Sequence, residues 1–247
     1  MIPNPILKVL STLTTRQVRY LLMGGQACVL YGAVQFSRDT DIVIAIDPAN
    51  LAALTHALDE LQAKPIAVPP FEIEYLRRGM AVHFRCQHPD AKGIRLDVMH
   101  VMRGVAPFEE LWSRRTTLEY DTGLQVDLLA LPDWVQAKKT QRDKDWPMIR
   151  LLVEAHYKQH AATPNDDRVR FWLREARTPN ILQAVANKYP ALLAEVVPQR
   201  SLLSKVVGAT PDAIEQTLED EERLEREADR QYWAPLFKEL EQIRHRR

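Results

Sequence analysis

Asp39-Thr40-Asp41-Ile42-Val43-Ile44-Ala45-Ile46 is the stretch on which the reading turns. Its density of β-branched residues predicts a strand over 40–46, opened by the first aspartate. Side chains alternate across a strand, so Asp39 and Asp41 share one face while Ile42, Ile44 and Ile46 share the other. At ~3.4 Å rise per residue the two aspartates stand ~7 Å apart at the backbone. Their flexible ends can converge on divalent cations ~4 Å apart, the spacing of two-metal phosphoryl chemistry. Carboxylate oxygens suit magnesium, which also takes phosphate oxygens and water. An Asp-x-Asp alone also fits a solvated strand end, so the neighbouring segments decide its meaning.

Upstream, the apolar run 18–23 ends at Gly24-Gly25, and residues 26–35 read as a helix. Glycine at a strand-to-helix turn lets the backbone approach a ligand, and a helix start offers free N–H groups to phosphate. A plain tight turn is the competing reading. Downstream, Asp47-Pro48 caps a helix over about 48–62, and 65–70 is a proline-rich break. Residues 80–87 and 94–101 read as an antiparallel hairpin joined by 88–93. Helix 107–114, short strands near 115–120 and 123–129, and helices 131–140 and 144–158 follow.

Asp97 sits inside the second hairpin strand, with Arg95 and Met99 on its side and Leu96 and Val98 on the other. A carboxylate in so apolar a strand needs a neutralising partner. One candidate is an ion pair, for instance with Arg85 across the hairpin. The other places Asp97 on a strand beside Asp39 and Asp41, completing a three-carboxylate site in which it could act as base toward a hydroxyl. The functional reading requires all three acids to meet near the paired glycines.

The order Gly24-Gly25, then Ser37-x-Asp39-x-Asp41, then Asp97 on a later strand resembles the DNA polymerase β-like nucleotidyltransferase superfamily. It looks closest to the small prokaryotic branch of abortive-infection and toxin–antitoxin nucleotidyltransferases. The resemblance covers about residues 15–155. It implies transfer of a nucleoside monophosphate from a nucleoside triphosphate such as ATP to an acceptor hydroxyl on RNA, protein or a small molecule. By the same resemblance Asp39, Asp41 and Asp97 bind two Mg2+ ions, and Gly24, Gly25 and Ser37 hold the triphosphate. Leu131-Pro132-Asp133-Trp134-Val135-Gln136-Ala137-Lys138 and Arg142-Asp143-Lys144-Asp145 extend it: Lys138 and Lys144 would approach the phosphates and Asp145 would orient a basic group. The plain alternative is a charged inter-helix turn. Two departures stand out. Gly25 replaces a serine that many active members use, and Gln35 stands where the branch often has arginine. Both bear on nucleotide affinity and neither touches the metal ligands.

The expected architecture is α/β (α+β): a small mixed β-sheet core with flanking helices over 1–158, then a C-terminal helical domain over 159–247. Residues 159–167 read as the linker. The 247 residues carry 33 basic and 33 acidic side chains, which argues against a protein that coats long nucleic acid, though a local basic patch stays open. Cys28 and Cys86 lie in apolar stretches and read as buried free thiols. No signal-peptide pattern or membrane-spanning run occurs, so the chain reads as cytoplasmic. His156 and His160, four apart, read as a solvated helix end rather than a metal site. The Glu/Arg-rich segment 219–230 reads as a solvated face, with a partner protein or homodimer contact through the C-terminal helices as the alternative.

Overall fold

The computed structural model describes residues 5–32, 39–119 and 123–245. The chain separates into two compact units, residues 1–137 with 233–247, and residues 138–232.

In the first unit, helix α1 (Pro5–Thr15) precedes β1 (Tyr20–Met23), α2 (Gly24–Leu30), β2 (Asp39–Ile44) and α3 (Pro48–Glu60). Next come the two-residue β3 (Lys64–Pro65), α4 (Ile73–Arg77), β4 (Val82–Arg85) and β5 (Arg95–Met99). Helix α5 (Phe108–Ser113), β6 (Thr116–Glu119), β7 (Gln125–Leu128) and α6 (Leu131–Ala137) complete the unit's first segment. The strands form one mixed seven-stranded sheet in the order β3-β4-β5-β2-β1-β7-β6. Pairs β2/β5 and β1/β7 are parallel and the others antiparallel. The expected mixed sheet with flanking helices is therefore present.

Strand β2 is central, which explains its composition. Ile42, Val43 and Ile44 are all 0% exposed, as only a strand covered on both faces allows. Asp47 caps α3 by accepting from the Asn50 backbone N–H at 3.0 Å, with Pro48 in the first turn, as the sequence suggested. Asn50 is itself buried and pins the sheet. Its amide nitrogen donates to Ala45 O and Arg19 O, and its Oδ1 accepts from Arg19 N. One side chain thus ties the start of β1 to the end of β2.

The hairpin of β4 and β5 pairs as expected, with shorter strands than the sequence suggested. The sequence reading missed β3 and α4. Strand β3 consists of a lysine and a proline at the sheet edge, where a missing N–H is tolerated. Both Cys28 and Cys86 are buried free thiols.

The second unit holds α7 (Asp145–His160), α8 (Asp166–Glu175), α9 (Pro179–Lys188) and α10 (Pro190–Val196). A 3-10 turn over Ser201–Lys205 leads to α11 (Pro211–His245), whose residues up to 232 belong to this unit. The division at 137/138 comes earlier than the 158/159 boundary read from the sequence. The reason lies in α7, which packs on α8: the Trp172 indole meets the Tyr157 ring edge-on at 5.0 Å and donates to His156 Nδ1 at 2.9 Å. His156 is thus a packing residue of the helix pair rather than a solvated end. Arg200, 6% exposed, donates to Leu173 O, Ala176 O and the Glu221 carboxylate, leaving a buried cation well partnered. Among the described residues no helix is long and apolar enough to cross a membrane.

Candidate active site

Parallel pairing of β2 and β5 sets Asp41 directly beside Asp97 and Asp39 beside Arg95. Antiparallel pairings on the two sides add His83 next to Asp97 and Met23 next to Asp41. A transverse row, His83, Asp97, Asp41 and Met23, therefore crosses four strands, each ~4.8 Å from the next. A second row, Arg85, Arg95 and Asp39, runs beside it. Residues at i and i+2 share a face, so the two rows form one polar patch across the middle of the sheet.

The chain leaves β1 at Met23 and enters α2 at Gly24, whose φ is +66°. Here glycine is required twice over. The left-handed conformation disfavours any side chain, and a Cβ would fall 1.9 Å from Asp41 Oδ2. The turn therefore lies directly on the carboxylate. Trp134, 1% exposed, holds it there by donating its indole N–H to Gly24 O at 3.1 Å. The helix begins with the glycine pair itself, where the sequence reading began it just after.

Asp97 is 9% exposed, on the face shared with Asp41. Its Oδ1 accepts from Arg95 Nε at 2.7 Å and lies 2.9 Å from His83 Nδ1. Arg95 Nη2 in turn lies 3.0 Å from the same imidazole nitrogen. The arginine suggested as Asp97's ion-pair partner, Arg85, is replaced by Arg95. Arg85 is registered beside Arg95, whereas Arg95 stands two residues from Asp97 on one strand. The Arg95 guanidinium is held above its ordinary range, first by the Asp97 hydrogen bond and further by the charges of Asp97, Asp39 and Asp41, against the cost of burial. His83 and Arg95 are the site residues that the sequence reading passed over. Strand order and register expose His83, whereas Arg95 already shares Asp97's strand face in the sequence.

Among the described residues no group of three His, Cys, Asp or Glu side chains closes around a common point as a metal cage. The three aspartates share a face, but Asp97 Oδ1 is turned to Arg95 and His83. In donor chemistry the patch fits a divalent cation, because Asp39 and Asp41 offer hard oxygens at one strand end.

Lys138, Lys144 and Asp145 belong to the second unit. Asp145, 2% exposed, accepts from Lys138 Nζ at 3.0 Å, Thr140 Oγ1 at 2.6 Å and Arg142 Nε at 2.7 Å. Burial alone would raise its pKa, but the Lys138 charge, the Thr140 bond and Arg142 together lower it. Lys144 is exposed at the start of α7. Ser37 and Gln35 lie outside the described residues.

No family model and no curated protein matches the chain. Two solved structures from Helicobacter pylori are similar in path, a candidate nucleotidyltransferase and the protein JHP933. Each is 15% identical at a TM-score of 0.40; the first match covers 92% of this chain and 94% of that one, the second 95% and 94%. At that similarity the functional reading rests on the site alone.

Proposed function

We propose that this chain is a magnesium-dependent nucleotidyltransferase that moves a nucleoside monophosphate from a nucleoside triphosphate to an acceptor hydroxyl, releasing pyrophosphate. The observation that carries the reading is the side-by-side placement of Asp41 and Asp97, with Asp41 directly against the Gly24 turn. Asp39 and Asp41 would hold the metal, which when bound neutralises phosphate charge and orients the triphosphate. The Gly24-Gly25 turn would admit the phosphates close to the backbone. Asp97, with Oδ1 engaged by Arg95 and His83, would receive the acceptor proton on Oδ2 as the acceptor oxygen bonds to the α-phosphorus and the bond to the β-phosphate oxygen breaks. Arg95, bonded to Oδ1, would hold the Asp97 carboxylate in position while Oδ2 takes the proton.

The reading includes the resemblance's cellular context, a toxin–antitoxin or phage-defence system. Incubation with each labelled triphosphate and fractionated lysate should label one class of acceptor: RNA, protein or small molecule. Asp41→Asn should abolish labelling while its thermal melting stays that of a folded protein. Labelling undiminished in that variant overturns the assignment.

A second reading has this fold binding or regulating a partner protein without catalysis. One observation favours it: Asp97 Oδ1 is already paired with Arg95. Thermal protection by a triphosphate that depends on magnesium supports the enzyme; none supports the binding module.

A further inference from the structure

Three carboxylates on one sheet face, taken alone, call for two divalent cations. This face already carries a positive charge of its own. Arg95 is registered beside Asp39, stands two residues from Asp97 on the same strand, and binds Asp97 Oδ1 through Nε at 2.7 Å. Its Nη2 lies 3.0 Å from His83 Nδ1, the same nitrogen that faces Asp97 Oδ1. A guanidinium is charged at every working pH, and its planar fork is weakly hydrated, so it can sit among carboxylates where a metal ion would have to shed tightly held water.

Resting on the nucleotidyltransferase reading above, we propose that the site takes one divalent cation per triphosphate, held by Asp39 and Asp41, and that Arg95 supplies the second positive charge at Asp97. Two consequences follow from charge alone. An ion approaching Asp97 meets the guanidinium at short range and a carboxylate oxygen already engaged, so it binds poorly there. Removing the guanidinium leaves a nearly buried carboxylate with His83 as its remaining partner, a state that favours uptake of a cation.

Equilibrium dialysis of the full chain against Mn2+ and a non-hydrolysable triphosphate reads the stoichiometry directly, as the excess of metal and of nucleotide on the protein side. The wild type should retain one Mn2+ per nucleotide, and Asp97→Asn should still retain one. Arg95→Lys, which keeps the charge, should also retain one, whereas Arg95→Ala should retain two. Melting curves for each variant establish that it is folded. Two ions per nucleotide in the wild type, falling to one in Asp97→Asn, would overturn the proposal while leaving the enzyme reading intact. One ion in both wild type and Arg95→Ala also overturns it, because Arg95 is then no stand-in for a metal. Neither metal nor nucleotide retained by the wild type overturns the nucleotidyltransferase reading itself.

Discussion

The Asp41 carboxylate occupies the space in which a side chain on Gly24 would stand: a Cβ there would lie 1.9 Å from Oδ2 and 2.8 Å from the aspartate's own Cβ. The glycine and the acid are therefore one unit, although they come from different elements. Gly24→Ala should cost about 1–2 kcal/mol from its left-handed backbone alone, and more from displacing Asp41. In an Asp41→Ala background the cost should fall but stay above the backbone part, because the Cβ 2.8 Å away is still present. Urea unfolding of the two single variants and the double variant measures this; equal costs in both backgrounds would mean that the carboxylate yields freely.

Asn50 bonds to backbone groups of both Arg19 and Ala45 inside the protein. Asn50→Ala leaves Arg19 N and Ala45 O without their side-chain partner, while Arg19 O keeps the Ala45 N–H, and should destabilise the fold by about 2–4 kcal/mol. Amide exchange should accelerate across β1 and β2 in particular. A loss below about 1 kcal/mol would mean that water replaces the amide.

His156 receives the Trp172 N–H on Nδ1, which requires that nitrogen to be unprotonated. Burial first, then the charges of His160 and Arg168, push its pKa down to about 4. The unfolded chain takes up this proton near pH 6.5, so the folded state is at no disadvantage above that pH. Stability falls between about 6.5 and 4 and levels off below, by at most ~3.4 kcal/mol and by less to the extent that solvent screens the partly exposed ring. Denaturation at pH 7, 5.5 and 4.5 should show this slope in the wild type and a flatter one in His156→Gln.

Asp145 is nearly buried and takes bonds from Lys138, Thr140 and Arg142, and its pKa is lowered. Its contribution is therefore present above the unfolded carboxylate value of ~3.9 and lost as pH falls through the lower folded value. Asp145→Asn should cost about 3 kcal/mol at neutral pH, because Lys138 and Arg142 lose the buried charge they face. The difference from wild type should shrink as pH falls below ~3.9 and level off once the native carboxyl is protonated. A constant difference down to pH 3 would mean that packing, and not charge, sets the effect.

Much of this was legible in the chain. The β-branched run after Asp39 announced a strand, and Asp47-Pro48 announced the capped helix that follows. Local chemistry suffices for both, since strand alternation and N-capping act within a few residues. The edge strand Lys64–Pro65 was hidden because nothing in a lysine and a proline favours a ladder. The 158/159 boundary rested on a polar, proline-bearing stretch, whereas the grouping of α7 with α8 depends on the Trp172 contacts.

What the sequence determined by itself was which side chains share a strand face: Asp39 with Asp41, and Arg95 with Asp97. That follows from the two-residue repeat of an extended chain. Only the tertiary structure decided that β5 lies parallel to β2 with Asp97 beside Asp41, that β4 then adds His83, and that Arg95 rather than Arg85 meets the third acid. Register between distant strands is set by the whole buried face and the connections on either side, and a one-residue slip would have turned the same side chains to the opposite face.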